Sequence, residues 1–307
     1  MSRRDLPSPR PIEVGRRTFL KGAALGVAAA ALPLTAANAS LWSSFFQSHF
    51  AEMDEDERRQ VIARLESDAR KRYGADIQIS ATKAMPNVRF GYALDLSRCI
   101  GCRRCVYACA GENNPSRNPQ IHWISVLRVK KGEKWVDLQG TEKYYDPQTV
   151  PEPDYFYIPV QCQQCDNPPC VKVCPTKATW KEPDGIVVVD YDWCIGCRYC
   201  MAACPYGARR FNWSEPSISP KEINVQTHYL GNRPRHKGVV EKCTLCIQRT
   251  REGRYPACVE VCPAGARKFG NLLDEKSEIR HILERKRVFR LKEDLNTVPR
   301  FFYFFAS

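Results

Sequence analysis

Four groups of cysteines carry the chemistry that can be read from this chain. Cys99, Cys102, Cys105 and Cys109 are spaced C-x2-C-x2-C-x3-C, and Cys194, Cys197, Cys200 and Cys204 repeat that spacing. Cys162, Cys165, Cys170 and Cys174 follow C-x2-C-x4-C-x3-C, and Cys243, Cys246, Cys258 and Cys262 follow C-x2-C-x11-C-x3-C. Together these are all sixteen cysteines of the 307 residues. Three thiolates on one tight loop can grip three irons on one face of a cubane. The fourth, three residues on, points away, and in two-cluster ferredoxins it ligates the other cluster. Proline follows the last cysteine in three groups (Pro175, Pro205, Pro263) and Ala110 in the first. Proline suits a turn that cannot continue its backbone hydrogen bonding. Gly101 and Gly196 fall where the backbone must pass close to a cluster, and free N–H groups in such loops can bond cluster sulfurs and help set the potential.

Disulfides and zinc are the competing uses of so many cysteines. Cysteines two apart rarely bridge each other, and a third cysteine on the same short loop is surplus to a tetrahedral zinc site. The spacing therefore predicts four [4Fe–4S] clusters with the sixteen cysteines as iron ligands. It offers no acid, base or nucleophile for catalysis, no C-x-x-C-H haem site and no G-x-G-x-x-G fingerprint. The histidines at 49, 122, 228, 236 and 281 lie outside the motifs and receive no role.

The elements that must position these motifs are short. Ala51 to Tyr73 reads as one amphipathic helix, with Met53, Val61, Leu65 and Ala69 at near-helical spacing and Gly74 as its stop. It is expected to pack on the chain's own core. Ile121 to Val129 and Ile186 to Asp190 read as strands, 131–159 as hairpins and loop, and 231–238 as a polar connection. From Leu273 the chain is read as mixed helix and extended tail. The aromatic run Phe301 to Phe305 is too short to span a membrane and is expected to dock on the chain's core or on a partner. Ahead of all this, Gly15-Arg16-Arg17-Thr18-Phe19-Leu20-Lys21 precedes an apolar run from Gly22 to Ala37 and the A-x-A site Ala37-Asn38-Ala39. That is a twin-arginine signal peptide, expected to be cleaved after Ala39.

The formal charge of +13 would ordinarily suggest nucleic acid or an anionic surface. Without residues 1–39, 41 basic and 32 acidic side chains leave +9. Four oxidised clusters with their thiolates supply roughly −8. The loaded protein is then near neutral, and nucleic-acid binding is unnecessary. Arg103, Arg104, Lys172, Arg198 and Lys242 are expected to offset cluster charge, and Arg285-Lys286-Arg287 to be a solvated face.

Several strings are close to a known pattern. They are Cys194-Ile195-Gly196-Cys197-Arg198-Tyr199-Cys200, Cys204-Pro205-Tyr206-Gly207-Ala208, Glu241-Lys242-Cys243-Thr244-Leu245-Cys246 and Cys258-Val259-Glu260-Val261-Cys262-Pro263. Over roughly Val88 to Gly270 the chain resembles the four-cluster ferredoxin-like electron-transfer subunits of bacterial respiratory complexes. Those include the subunits of dimethyl sulfoxide, polysulfide and tetrathionate reductases, of formate-dependent nitrite reduction and of the membrane complex linked to dissimilatory sulfite reduction. The resemblance implies crossed ligand sets. Cys99, Cys102, Cys105 and Cys262 would hold one cluster, and Cys243, Cys246, Cys258 and Cys109 its neighbour. Cys162, Cys165, Cys170 and Cys204 would hold the third, and Cys194, Cys197, Cys200 and Cys174 the fourth. No cysteine is replaced by Trp, as in relatives that hold a [3Fe–4S] cluster.

The implied fold is α+β, with two ferredoxin-like dicluster modules related by pseudo-two-fold symmetry and the second inserted into the first. Residues 1–39 are the signal peptide and 40–87 an N-terminal helical extension that is not part of the matched pattern. Residues 88–154 and 216–272 make the first module, 155–215 the second, and 273–307 a C-terminal extension. The implied function is a relay of single electrons between a polytopic quinone-reactive membrane subunit and either a multihaem cytochrome or a molybdopterin subunit. The chain, exported by the twin-arginine machinery, would sit peripherally on the outer face of the cytoplasmic membrane, since it lacks the C-terminal membrane helix of some relatives. A freely diffusing periplasmic ferredoxin is the alternative, and a stand-alone cluster enzyme is disfavoured because no cysteine set is incomplete.

Overall fold

The computed structural model describes residues 47–306, so the signal-peptide segment expected at 1–39 lies outside the described residues. Residues from Met53 onward cluster as one unit. Helix α1 (Glu55–Tyr73) starts at Asp54, whose carboxylate accepts the Glu57 N–H at 2.7 Å, and stops at Gly74 in the left-handed region. This cap places the start after Ala51, the position expected from periodicity. Glu55, Asp56 and Glu57 open the helix and Arg70, Lys71 and Arg72 close it, matching its macrodipole. The helix lies on its own core as expected, for Val61 and Ala69 are buried. The Glu66 carboxylate accepts the Ile79 N–H at 2.8 Å, and Arg72 pairs with Glu215.

The rest is a chain of short strands that deliver and receive the cysteine motifs. In order they are β1 (Gln78–Ser80), β2 (Phe90–Asp95), α2 (Arg104–Asn113), β3 (Ser125–Lys130), β4 (Tyr155–Val160), α3 (Pro169–Lys172), β5 (Thr179–Lys181) and β6 (Val187–Val189). Then follow α4 (Tyr199–Ala202), β7 (Arg210–Phe211), β8 (Gln226–His228), β9 (Val240–Glu241), α5 (Ile247–Thr250), α6 (Ala257–Glu260) and β10 (Arg267–Asn271). The chain closes with α7 (Glu278–Arg285), β11 (Val288–Phe289), a 3-10 turn at Glu293–Leu295 and β12 (Phe301–Phe304). The strand expected from Ile121 begins only at Ser125, because the Ile121 N–H closes a turn onto the Ser116 carbonyl at 3.0 Å.

Strand β2 leads into the first motif and pairs antiparallel with β10, which leaves the fourth. β5 leaves the second motif and pairs with β6, which enters the third. β7 leaves the third and pairs with β9, which enters the fourth. β3 and β4 form the hairpin between the first and second motifs. Each motif is thus clamped by a strand that also holds another motif. Helix α2 packs on α6, and α3 on α4.

The aromatic tail is core. β12 pairs in parallel with β2 and is buried along its length. Tyr92 stacks on Phe301 with centroids 4.6 Å apart, and the Tyr303 hydroxyl donates to the Pro159 carbonyl at 3.0 Å. Of the two docking modes expected for this run, the chain uses its own core, and Phe305 alone is left exposed.

Candidate metal centres

The four C-x2-C turns share one backbone feature. The residue just before the second cysteine has positive φ in each, namely Gly101 at 74°, Gln164 at 47°, Gly196 at 68° and Leu245 at 55°. Only glycine adopts this region without strain. At Gly101 it is also required by space, since a Cβ would come within 2.4 Å of the Tyr157 ring. Gln164 is held in place by its side chain, which accepts the Val187 N–H and donates to the Cys243 carbonyl, at 2.8 and 2.9 Å. The prolines explain the helix lengths. Where Pro175, Pro205 or Pro263 follows the last cysteine, the helical turn before it is four residues long. The first motif has Ala110 instead, and α2 runs through Cys109 to Asn113.

None of the sixteen cysteines is bonded to another as a disulfide. Among the described residues no three His, Cys, Asp or Glu side chains converge on a single ion, as a tetrahedral zinc site with bonds near 2.3 Å would require. The sulfurs instead surround cavities. One is lined by Cys99, Cys102, Cys105 and Cys262 together with Arg267. Another is lined by Cys162, Cys165, Cys170 and Cys204 together with Arg209. In each, three cysteines come from one motif and the fourth is the last cysteine of a distant one.

The other eight cysteines group by their electrostatics. Burial pushes the Cys109 thiol well above its ordinary range, and the neighbouring Cys243, Cys246 and Cys258 push it further. Burial also raises Cys194, opposed by the Val240 and Gly196 N–H groups and reinforced by Cys174 and Cys197. Cys99 and Cys200 are pushed up to about 11, Cys165 and Cys243 to about 12, in each case chiefly by burial. Thiols so desolvated and crowded stay protonated on their own. A bound iron centre is what would deprotonate them. The donor set and the cavities therefore fit four iron–sulfur clusters.

Polar groups aim at the sulfurs. Arg267 Nη2 donates to Cys105 Sγ at 3.2 Å, and Arg209 Nη2 to Cys170 Sγ at 3.0 Å. The Tyr92 hydroxyl lies 3.4 Å from Cys258 Sγ. The Asn113 amide nitrogen lies 3.6 Å from Cys109 Sγ and 3.5 Å from Cys246 Sγ. Arg209 Nε and Nη1 are buried without a hydrogen-bond partner among the described residues, as donors facing a bound cluster would be. None of these four residues was singled out from sequence. The available signal was the repeated string Cys-Pro-x-Gly-Ala-Arg at 204–209 and 262–267.

Of the five basic residues expected to offset cluster charge, only Lys242 is seen acting on a cysteine thiol. Arg103 lies against Tyr107, Tyr144 and Tyr145 and donates to the Tyr145 carbonyl. Arg198 lies over Trp213 at 4.6 Å. Arg104 and Lys172 are exposed. Lys242, fully buried, donates to the Val187 and Cys243 carbonyls and lowers the Cys243 thiol by its charge.

Comparison with known proteins agrees with this chemistry. Residues 98–178 match one family model described as a 4Fe-4S dicluster domain, and residues 153–235 and 227–272 match a second of the same description. The chain is 43% identical over 214 residues to a Halobacterium salinarum iron–sulfur subunit assigned to a dimethyl sulfoxide reductase, covering 70% of this chain and 78% of that protein. It is 39% identical to the Hdr-like menaquinol oxidoreductase iron-sulfur subunit 1 of Archaeoglobus fulgidus, over 70% of this chain and 82% of the relative. It is 37% identical to the menaquinone reductase iron-sulfur cluster-binding subunit of Nitratidesulfovibrio vulgaris, over 70% and 88%.

Proposed function

The chain belongs to the family of iron–sulfur subunits of respiratory oxidoreductases, among them those of dimethyl sulfoxide, tetrathionate and polysulfide reductases and of a sulfite dehydrogenase, and from that premise we propose how its sixteen cysteines are divided and what it connects. It is an electron-transfer subunit carrying four [4Fe–4S] clusters, not the catalytic subunit. The proposed ligand sets are Cys99, Cys102, Cys105 and Cys262 for the first site, and Cys109, Cys243, Cys246 and Cys258 for the second. Cys162, Cys165, Cys170 and Cys204 form the third, and Cys174, Cys194, Cys197 and Cys200 the fourth. The observation that carries this reading is the pair of cavities, each with three cysteines from one motif and one from another.

When bound, each cluster takes up and gives back one electron. The chain's own part is to line the sites in order. Cys105 and Cys258 meet across Arg267 and Tyr92. Cys162 acts electrostatically on Cys243, and Arg209 acts on both Cys170 and Cys200. These contacts support a relay that runs first, second, third, fourth. All four cysteines of the second site are buried, whereas the fourth site includes the exposed Cys197. Electrons would therefore enter and leave at the ends. The two modules would be related by pseudo-two-fold symmetry, with the second inserted into the first.

No helix among the described residues is long and apolar enough to cross a membrane. The chain is proposed to be peripheral on the periplasmic side, exported through its twin-arginine segment. One end would exchange electrons with a quinone-linked polytopic subunit, in keeping with the menaquinone and menaquinol relatives. The other would serve a multihaem cytochrome or a molybdopterin subunit. Purification of the native complex from gently solubilised membranes, through a tag on this chain, tests the assignment. Co-purification of a polytopic subunit with either redox partner is expected. Recovery of the chain alone, with its clusters intact, would identify a free ferredoxin instead.

A further inference from the structure

Two arginines occupy matching places after two of the motifs. Arg209 and Arg267 are each the fifth residue beyond the last cysteine of their group, and they are 3% and 4% exposed. The same offset from the other two groups holds the neutral Asn114 and Thr179. Arg267 donates from Nη2 to Cys105 Sγ at 3.2 Å, and from Nη1 to the Tyr92 hydroxyl and to Gln161 Oε1, both at 2.9 Å. The same hydroxyl lies 3.4 Å from Cys258 Sγ. One cation therefore touches a sulfur of the first site and, through a single hydroxyl, a sulfur of the second. Arg209 donates from Nη2 to Cys170 Sγ and to Thr179 Oγ1, both at 3.0 Å, and its charge also acts on Cys200. Cys170 belongs to the proposed third site and Cys200 to the fourth, so Arg209 bears on both.

Neither guanidinium has a carboxylate partner among the described residues, although the buried Arg235, Arg233 and Arg251 each do. A buried cation without a counter-ion is strongly destabilising, so its compensation must come from the sulfurs it faces. We propose that Arg267 and Arg209 are potential-setting residues, each shared by two neighbouring clusters, Arg267 by the first and second and Arg209 by the third and fourth. This rests on the ligand sets proposed above. Uptake of one electron at a site adds one negative charge and no proton, because the guanidinium stays protonated throughout. A fixed positive charge in a low-dielectric interior favours the reduced form at both sites it adjoins, and charge-assisted donation to a thiolate acts in the same direction. Each arginine thus raises two potentials together.

Redox titration of the purified full-length chain, followed by EPR, tests this, with iron and sulfide analysis on every sample. Arg267→Gln is expected to move two of the four reduction waves to more negative potential and leave two in place. Arg209→Gln should move the other two. Arg267→Lys, which keeps the charge, should recover part of the shift. Tyr92→Phe removes only the hydroxyl and should displace one wave, that of the second site. Full iron content with unmoved waves in the glutamine variants would overturn the proposal, as would a single wave moving in each. If Arg267→Gln loses iron, Tyr92→Phe decides, because an unchanged titration there overturns the sharing. Wild-type protein with fewer than four clusters would overturn the ligand assignment beneath the proposal, a result visible in the analysis before any potential is read.

Discussion

The side-chain nitrogen of Asn113 lies 3.5 Å from the sulfur of Cys246, and the same nitrogen lies 3.6 Å from the sulfur of Cys109. Asn113 reaches this place only because α2 continues past Cys109, where the other motifs have proline. A neutral donor shared by two thiolates stabilises the more negative, reduced state. Asn113→Leu keeps the branched heavy-atom skeleton and removes the donor. It should lower the potential of the second site alone, by on the order of 50 mV. A redox titration with all four waves unchanged would dismiss the role.

The crossed ligand sets make a prediction that the order of residues along the chain does not suggest. Cys109 belongs to the first motif, yet its thiol is perturbed by Cys243, Cys246 and Cys258. Cys109→Ser should damage the cluster proposed at those three cysteines and spare the one proposed at Cys99, Cys102, Cys105 and Cys262. EPR of the reduced variant distinguishes the two. Loss of the Cys99-Cys102-Cys105 signal instead would refute the crossing.

The cysteine groups were legible because most of their spacing is local, three cysteines within nine residues in the first three groups, with only Cys258 set apart in the fourth. Helix α1 was legible too, through its charge pattern and Gly74, although the Asp54 cap and not the apolar period fixed its start. Long-range placements were hidden. Phe301–Phe304 read as an aromatic tail docked on the core or on a partner, with the strand it joins not legible, because parallel pairing with β2 joins segments about 200 residues apart and leaves no local mark. The residues closest to the sulfurs were hidden for the same reason. Arg103 and Arg198 sit inside motifs but turn onto aromatic rings. Arg209 and Arg267 lie outside the motifs, and the strands they begin or adjoin carry them back to the sulfurs.

Gly101 combines two demands, a φ of 74° and an approach to Tyr157 that leaves no room for a methyl group. Gly101→Ala should destabilise the protein by about 2–4 kcal/mol, from left-handed strain and overpacking together. Iron should be lost first from the site at Cys99, Cys102, Cys105 and Cys262. Tyr157 is itself buried core, so Tyr157→Ala is destabilising too, but it relieves the clash, and the double variant should lose less stability than the two single losses added together. Iron analysis and denaturant midpoints of the single and double variants check this, and wild-type values for Gly101→Ala alone would contradict it.

Acid sensitivity should have a contribution from His228, which lies outside the cysteine motifs. Its ring is fully buried, and Nδ1 accepts the Leu230 N–H at 3.1 Å while Nε2 faces the Thr82 carbonyl at 3.0 Å, which assigns the proton to Nε2. Burial pushes its pKa down to about 3 from an ordinary 6.5, against the favourable Thr82 carbonyl and aided by nearby Arg251. The depressed value means that the unfolded chain binds this proton more readily than the folded one. The stabilisation is complete above pH 6.5 and is lost as pH falls from there toward 3. By pH 5 the loss from this group alone is about 2 kcal/mol. His228→Leu abolishes the titration, so its denaturation midpoint should fall less between pH 7 and pH 5 than that of the wild type, even if its stability at pH 7 is lower. Equal falls in the two proteins would remove His228 as a source of the acid sensitivity.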